Sequence, residues 1–176
     1  MNTLLKIFLL LSLSVCAVTV NADTVQIPAN KDNTMHFSNI LGISNGAGPN
    51  LFVGNSNKDI RRRGLIAFDI AGNIPSGSAI NNATLTLRMS KSIVGDKTVE
   101  LKKLLADWGE GASVATGGGG SSATANDATW PHSFYPSAFW TSPGGDFTEM
   151  ASADTKIGSV GFYSWGSTTI LCSFER

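Results

Sequence analysis

The feature that most constrains the fold of this chain is a strict alternation of side-chain character between residues 83 and 90. Ala83, Leu85, Leu87 and Met89 are apolar, and the residues between them are Thr, Thr and Arg, followed by a Ser. Successive side chains of a strand point to opposite faces of the sheet, so this spacing places every apolar group on one face. The pattern predicts a strand over Ala79–Ser90 in an antiparallel sheet with one solvated face.

Further segments after residue 22 have strand-like patterns, and none shows a convincing helical period. The clearest are Thr24–Ile27, Arg61–Ile70, Thr98–Leu105 and Lys156–Tyr163. A turn at Gly95-Asp96 is expected to join the strand over Ala79–Ser90 to the strand over Thr98–Leu105 as a hairpin. The 19 glycines and the low charged fraction of 15% suit a turn-rich β protein. We therefore predict an all-β fold.

The N-terminus has the organisation of a secretory signal peptide. Lys6 precedes an apolar run over Ile7–Val20, which ends in the small-residue pattern Val20-Asn21-Ala22. This run is shorter than the about 20 residues that span a bilayer. We predict a signal peptide at residues 1–22 and a single exported domain at residues 23–176, with no membrane span after cleavage. The expected location is extracellular or cell-surface, and the periplasm is also compatible.

Two alternatives apply to the same segment. The apolar run could be retained as an anchor, or Cys16 could be lipidated as in lipoproteins. The bulky Val15 directly before Cys16 argues against lipidation, because that position normally holds a small residue, and the apolar run continues past the cysteine. Once residues 1–22 are removed, Cys172 is the one remaining cysteine, so an internal disulfide is excluded and stability must come from packing.

The balance of charge excludes one class of partner. The chain has 13 basic and 13 acidic residues, and loss of Lys6 with the signal peptide leaves a net charge near −1. A protein that binds nucleic acid usually carries a strong basic footprint. We predict no nucleic-acid partner.

A Gly- and Ser-rich loop is predicted near residues 109–126, because this stretch has few large apolar residues and contains Gly117–Gly120. The aromatic residues that follow are candidate ligand-binding groups. Trp130, Tyr135 and Trp140 lie in loop-like sequence, where their flat faces could stack on sugar rings. The alternative is that these rings fill the core of a chain poor in Ile and Val.

Two polar clusters are further candidates. Arg61, Arg62 and Arg63 could bind an acidic polysaccharide such as a uronate polymer, or could be solvated charge at the start of a strand. Asp32 and Asn33 lie in a segment that reads as a turn, and their oxygens could hold a structural Ca²⁺ or form an ordinary Asx-turn. No other cofactor is predicted.

Catalytic constellations are weak. Asp107 and Glu110 flank Trp108-Gly109 and form the best acid pair, but paired carboxylates act only at a set separation across a cleft. His36 and His132 stand in no triad-like or metal-binding context. We therefore expect a protein that is not an enzyme.

The stretch from Leu51 to Trp108 carries a family resemblance. It contains an Arg run followed by Leu65-Ile66-Ala67-Phe68-Asp69-Ile70, then Ile74-Pro75-Ser76-Gly77-Ser78, Ala83-Thr84-Leu85-Thr86-Leu87, and Asp107-Trp108-Gly109-Glu110-Gly111. The order of these pieces resembles the DNRLRE-domain proteins, a disaggregatase-related, carbohydrate-binding-module-like group. The likeness extends from Asp32 to Trp165 and is looser after Gly111.

This resemblance implies a jelly-roll-like antiparallel β-sandwich in a secreted or cell-surface protein, in some cases one that binds glycans. The tail after Gly161-Phe162-Tyr163-Ser164-Trp165 departs from the family pattern, which predicts a chain truncated or frameshifted near Ser167 and a sandwich missing its last strands. The sequence favours a non-catalytic module that binds polysaccharide. The alternatives are a structural or adhesion protein and, less favoured, a polysaccharide-acting enzyme.

Overall fold

The computed structural model describes residues 23–38 and 42–167, and over these ranges the regular secondary structure is strand with almost no helix, which confirms the all-β prediction. In chain order the strands are β1 (Ala29–His36), β2 (Ile43–Ser44), β3 (Gly54–Asn55), β4 (Arg61–Phe68), β5 (Ala83–Met89), β6 (Lys97–Leu101), β7 (Ser121–Ser122), β8 (His132–Phe134), β9 (Ala138–Phe139), β10 (Ala153–Ile157) and β11 (Gly161–Ser167). A single helical turn, α1 (Ile70–Asn73), follows β4. In the described ranges no helix has the length and apolarity needed to cross a membrane. The predicted signal peptide, Cys16, Cys172 and the tail after Ser167 lie outside them.

The first sheet has the order β1–β4–β3, with β4 at its centre. The sequence predicts this central place, because Leu65 and Ala67 point to one face of the strand and Ile66 and Phe68 to the other, so both faces are apolar at mid-strand. Strand β1 differs from the prediction: Thr24–Ile27 is not in a strand, and the segment read as a turn at residues 28–33 lies mostly within β1. Pro28 lacks the N–H that a ladder requires and directly precedes the strand. The start of β1 is therefore set by Pro28 and by the pairing with β4, and not by the alternation at Thr24–Ile27.

The remaining long strands form two ribbons instead of the predicted hairpin. Strand β5 pairs with β11, and β6 pairs with β10, so β5 and β6 are joined by a connection but share no ladder. The alternation predicted for β5 is confirmed from Leu85 onwards, because Leu85, Leu87 and Met89 are half-buried while the residues between them are exposed. The strand begins at Ala83 rather than at Ala79, and Ala83, which was predicted to face inwards, is exposed. The hairpin prediction was wrong because a nearby turn cannot reveal that strands much later in the chain compete for the same edges.

Trp165 joins the two ribbons. Its indole is buried on β11, and Nε1 donates a 2.8 Å hydrogen bond to the carbonyl of Val99 on β6. The hydroxyl of Thr155 on β10 donates to the carbonyl of Ser164 on β11. Within the described residues, the strands form five small sheets of two or three strands each.

The apolar core lies between the first sheet and residues 128–147, which are rich in aromatic side chains and are called the aromatic segment. It consists of buried Met35, Leu65, Trp108, Ala128, Trp130 and Trp140, with Ala67, Leu104 and Ala106 packed against it. Three of these six buried residues are tryptophans, so indole rings supply most of the core volume. This composition follows from the scarcity of large aliphatic residues in the aromatic segment.

A buried polar network fixes the Gly- and Ser-rich loop. Asp127 accepts hydrogen bonds from the hydroxyls of Ser113 and Thr124 at 2.9 and 3.0 Å, and Asn45 accepts one from the N–H of Ala115. A Cβ on Gly111, whose φ is +72°, would lie 2.0 Å from the Asp127 carboxylate. The loop occupies the predicted position, but its backbone is held by side chains rather than left as free coil.

His36 is the other unusual buried polar group. It lies on β1 opposite Arg62 of β4, and neither ring nitrogen has a hydrogen-bond partner among the described residues. Burial, together with the nearby charge of Arg62, lowers the pKa of His36 from 6.5 to about 4. The folded protein therefore holds this ring neutral at physiological pH.

We predict that Asp127→Asn destabilises the fold by about 2 to 3 kcal/mol, because the new amide group faces hydroxyl and N–H donors that need an acceptor. Urea unfolding followed by tryptophan fluorescence measures this. Asp154→Asn on β10 is the matched control: its exposed carboxylate makes no hydrogen bond in the described structure, so a change within about 0.5 kcal/mol is expected. Equal effects of the two substitutions would contradict the role of Asp127.

We also predict that stability falls as the pH drops from 6.5 towards 4, because the unfolded state then binds a proton at His36 that the folded state rejects. The slope from this group is at most about 1.4 kcal/mol per pH unit. His36→Leu should reduce that slope, and His132, whose pKa burial also lowers, contributes to the slope that remains. Thermal unfolding at several pH values checks this, and an unchanged slope in the variant would refute it.

Candidate functional site

The three consecutive arginines at the start of β4 occupy both faces of the first sheet. Side chains alternate along a strand, so Arg61 and Arg63 share one face and Arg62 points to the other. In the described parts of the chain, none of the three forms a salt bridge with an acidic residue. The structure therefore assigns different environments to three residues that look equivalent in the sequence.

Arg62 is held by backbone carbonyls. Its guanidinium donates hydrogen bonds to the carbonyls of Gly54, Asn55 and Gly118, and it lies 5.5 Å from the centre of the Phe52 ring. Burial lowers its pKa. A Cβ on Gly118 would lie 2.4 Å from the guanidinium, which explains why the loop carries glycine there. Arg62 thus ties the Gly-rich loop to the first sheet.

Arg63 is enclosed by two aromatic rings. Its guanidinium carbon lies 4.8 Å from the Trp130 ring centre and 4.7 Å from that of Phe147, and Nη1 donates a 2.6 Å hydrogen bond to the carbonyl of Gly144. Burial, with a smaller effect of Arg61, lowers its pKa. Cation–π contacts of this kind are worth about 2 kcal/mol when desolvated, so Arg63 is well placed to fix the aromatic segment on β4.

Arg61 is the arginine that faces solvent. It lies 5.9 Å from the ring of Phe37 and 6.0 Å from that of Trp130, and no hydrogen bond or salt bridge of its side chain occurs in the described structure. Phe37 is 49% exposed and meets Trp130 edge-on at 5.2 Å. We call Arg61 and Phe37 the cationic ledge: an available guanidinium beside a half-exposed ring.

No local pattern in the sequence marks Phe37 as a binding residue. It directly follows β1, and its N–H donates a 2.8 Å hydrogen bond to the carbonyl of Arg61. Because His36 is paired with Arg62, the neighbouring Phe37 and Arg61 come together although they are far apart in the sequence. The local sequence predicts a short strand over Thr34–Phe37, whereas the structure ends β1 at His36, and no local signal says which residue stands beside Phe37.

The aromatic residues predicted to bind sugar have a different position. Trp130 and Trp140 are only 9% and 5% exposed, and Nε1 of Trp140 donates to the carbonyl of Thr129. For these two rings the structure supports the alternative of core packing, because their faces are covered by protein. Tyr135 is half-buried; it meets the His132 ring edge-on and contacts Gly42 rather than the arginines. A binding role for Tyr135 stays a prediction.

The proposed calcium ligands lie in β1 and not in a loop, which corrects the turn on which that prediction rested. Both polar atoms of the Asn33 side chain are engaged, since Nδ2 donates to the carbonyl of Glu110 and Oδ1 accepts from Ser44. Asp32 is half-buried, and burial together with the nearby Glu110 carboxylate raises its pKa. No group of three or more His, Cys, Asp or Glu that could hold a metal occurs in residues 23–38 and 42–167. Calcium binding here stays a prediction.

The two carboxylates that flank Trp108-Gly109, Asp107 and Glu110, interact with different partners. Asp107 forms a 2.9 Å salt bridge with Lys31 and accepts the N–H of Trp108, and the hydrogen bond from Lys31 is the largest cause of its lowered pKa. Glu110 accepts the N–H of Asp32. A general acid near neutral pH needs a raised pKa, so the environment of Asp107 favours an ion pair over proton donation.

An open groove of about 540 Å³ lies beside the ring of Phe147 and is also lined by Leu105, Thr141 and Asp146. Both oxygens of Asp146 accept backbone N–H groups, from Thr141 and Ser142, and the Thr141 hydrogen bond is the main cause of its lowered pKa. The groove thus offers apolar surface beside a carboxylate whose hydrogen bonds are already made.

Comparisons with known proteins leave the chain without an assigned relative. No model of a known protein family matches it, and neither the curated proteins nor the solved structures contain a match.

Proposed function

We propose that this chain is a non-catalytic, exported surface module that binds anionic polysaccharide through the cationic ledge of Arg61 and Phe37. The observation that carries the proposal is the state of Arg61: an exposed guanidinium without an acidic partner in the described structure, beside a half-exposed ring. Such a guanidinium can bind a carboxylate or sulfate with two parallel hydrogen bonds, and the ring of Phe37 can cover the apolar face of a sugar.

The surroundings of the ledge support this proposal. Arg62 and Arg63 are fixed by carbonyl hydrogen bonds and aromatic rings, so they add positive potential without moving. A side chain that binds its ligand from a rigid strand loses less conformational entropy on binding than a side chain on a mobile loop. Arg61 and Arg63 share one face of the sheet, and two guanidinium groups there favour acidic sugars over neutral ones.

Resemblance to the DNRLRE-domain proteins belongs to the same proposal. A jelly-roll-like β-sandwich is compatible with the five small sheets of the described ranges, all of which pair their strands antiparallel. We propose this fold, export after cleavage at residue 22 and a surface location as parts of one hypothesis.

One observation favours a second candidate, a structural or adhesion protein without glycan binding. The two tryptophans expected to stack on sugar are buried, so the chain lacks two of its three predicted platforms. This candidate needs no exposed cation, and it predicts that Arg61 can be replaced without loss of any saccharide interaction.

We expect the purified exported protein to bind uronate polymers and to bind neutral glucans weakly or not at all. Arg61→Ala should weaken uronate binding by about ten- to a hundredfold, because a charge-assisted bidentate contact is worth roughly 1.5 to 3 kcal/mol. Phe37→Ala should weaken it less, and added salt should weaken it in the wild type. Affinity electrophoresis or calorimetry on a polysaccharide panel measures these effects.

Arg88→Ala is the matched control, since Arg88 is also an exposed arginine but lies on β5, in a different sheet. It should leave binding unchanged. If Arg61→Ala and Arg88→Ala bind uronate polymers equally well, the ledge is not the site. If the folded wild type binds none of the polymers, the structural candidate is the better one.

A further inference from the structure

The two ribbons bring two connections together at one end. Met89, the last residue of β5, is paired with Gly161, the first of β11, and Lys97, the first of β6, is paired with Ile157, the last of β10. The β5–β6 connection and the β10–β11 turn therefore lie side by side. A 2.8 Å salt bridge between Lys156 and Asp96 joins them. We call residues 90–96 and 158–162 the ribbon tip.

The ribbon tip exposes an unusual amount of apolar surface. Ile93, Val94, Val160 and Phe162 are between 52% and 73% exposed, with Phe162 the most exposed of the four. Single exposed apolar residues are common on protein surfaces, but a cluster at one end of a fold marks an interaction site. Ile93 and Val94 belong to the β5–β6 connection, Val160 to the β10–β11 turn and Phe162 to the start of β11, so the register of the ribbons brings them to the same end.

Local hydrogen bonds hold the two connections in shape. The hydroxyl of Tyr163 accepts the N–H of Gly158 and donates to the carbonyl of Ser159. In the other connection the Ser92 hydroxyl donates to the carbonyl of Val94 and accepts its N–H. These bonds oppose a collapse of the connections onto the protein that would hide the apolar side chains.

Basic residues surround this apolar cluster. Arg88 is paired across the ribbon with Phe162, and Lys91, Lys97 and Lys156 are exposed within or next to the tip. The tip itself contains one acid, Asp96, which is already in the salt bridge with Lys156. Three cations are thus left without an acidic partner in the described structure, although the whole chain has a formal net charge of zero.

We propose that the ribbon tip docks on the surface of an anionic lipid bilayer. Apolar side chains that project between cations fit such a surface, because the former enter the boundary of the acyl chains while the latter meet the headgroups. Charge complementarity selects this occupant over a second copy of the chain, since two tips facing one another would place like charges together. The proposed binding is peripheral and reversible, because it uses only side chains at the ribbon tip.

The test is flotation of the exported protein with vesicles of phosphatidylcholine alone or mixed with phosphatidylglycerol. We expect binding to the mixed vesicles, weakened by salt. Phe162→Ser should reduce it at least about tenfold, because a large apolar side chain loses its burial. Lys97→Gln should reduce it by a smaller factor, because each basic residue near the membrane surface adds one modest electrostatic contact.

Phe139→Ser is the matched control, because Phe139 is an equally exposed phenylalanine (68%) on β9, outside the ribbons. It should keep vesicle binding. Vesicle binding by Phe162→Ser at the wild-type level would overturn the proposal. Wild-type self-association that disappears in Phe162→Ser, without vesicle binding, would overturn it in favour of a second copy.

This surface is independent of the cationic ledge, and the same variants separate the two proposals. Arg61→Ala should bind mixed vesicles like the wild type, and Phe162→Ser should bind uronate polymers like the wild type. Loss of vesicle binding in Arg61→Ala and Phe162→Ser alike, with both variants folded, would overturn a site confined to the tip.

Discussion

The register of β1 against β4 is the constraint on which the core and the candidate site depend. It places Met35 and Leu65 in one buried cluster, sets His36 opposite Arg62, and brings the N–H of Phe37 to the carbonyl of Arg61. A shift by one residue would exchange the two faces of each strand. Arg63 would then leave the rings of Trp130 and Phe147, and the sheet would lose its link to the aromatic segment.

The arginine cluster shows how structural and binding roles are divided among adjacent residues. Arg62 and Arg63 donate hydrogen bonds to backbone carbonyls, and Arg63 also contacts two aromatic rings. Among the described residues the Arg61 guanidinium has no hydrogen-bond or acidic partner, because its position at the start of the strand lies at the edge of the ring cluster. The two fixed arginines supply both the support and part of the field for the third.

Both proposed surfaces combine cations with exposed apolar groups, but they are built differently. The cationic ledge depends on the first sheet and the core tryptophans, whereas the ribbon tip depends on the pairing of β5 with β11 and of β6 with β10. A module that binds an acidic polymer at one surface and an anionic bilayer at another would hold the polymer near the membrane. The nearly balanced overall charge hides both basic patches, because acids elsewhere in the chain cancel them in the sum.

Local patterns in the sequence determined the β class, the alternation of β5, the central place of β4 and the position of the Gly-rich loop. These features depend on the spacing of apolar residues and on the glycine content, and both are visible in a short stretch of consecutive residues. Strand pairing, the burial of Trp130 and Trp140, the strand position of Asp32 and Asn33, and the contact of Phe37 with Arg61 were decided by tertiary structure. They depend on which distant segments share a sheet, and competition between such segments is settled by packing over the whole fold rather than by any local pattern.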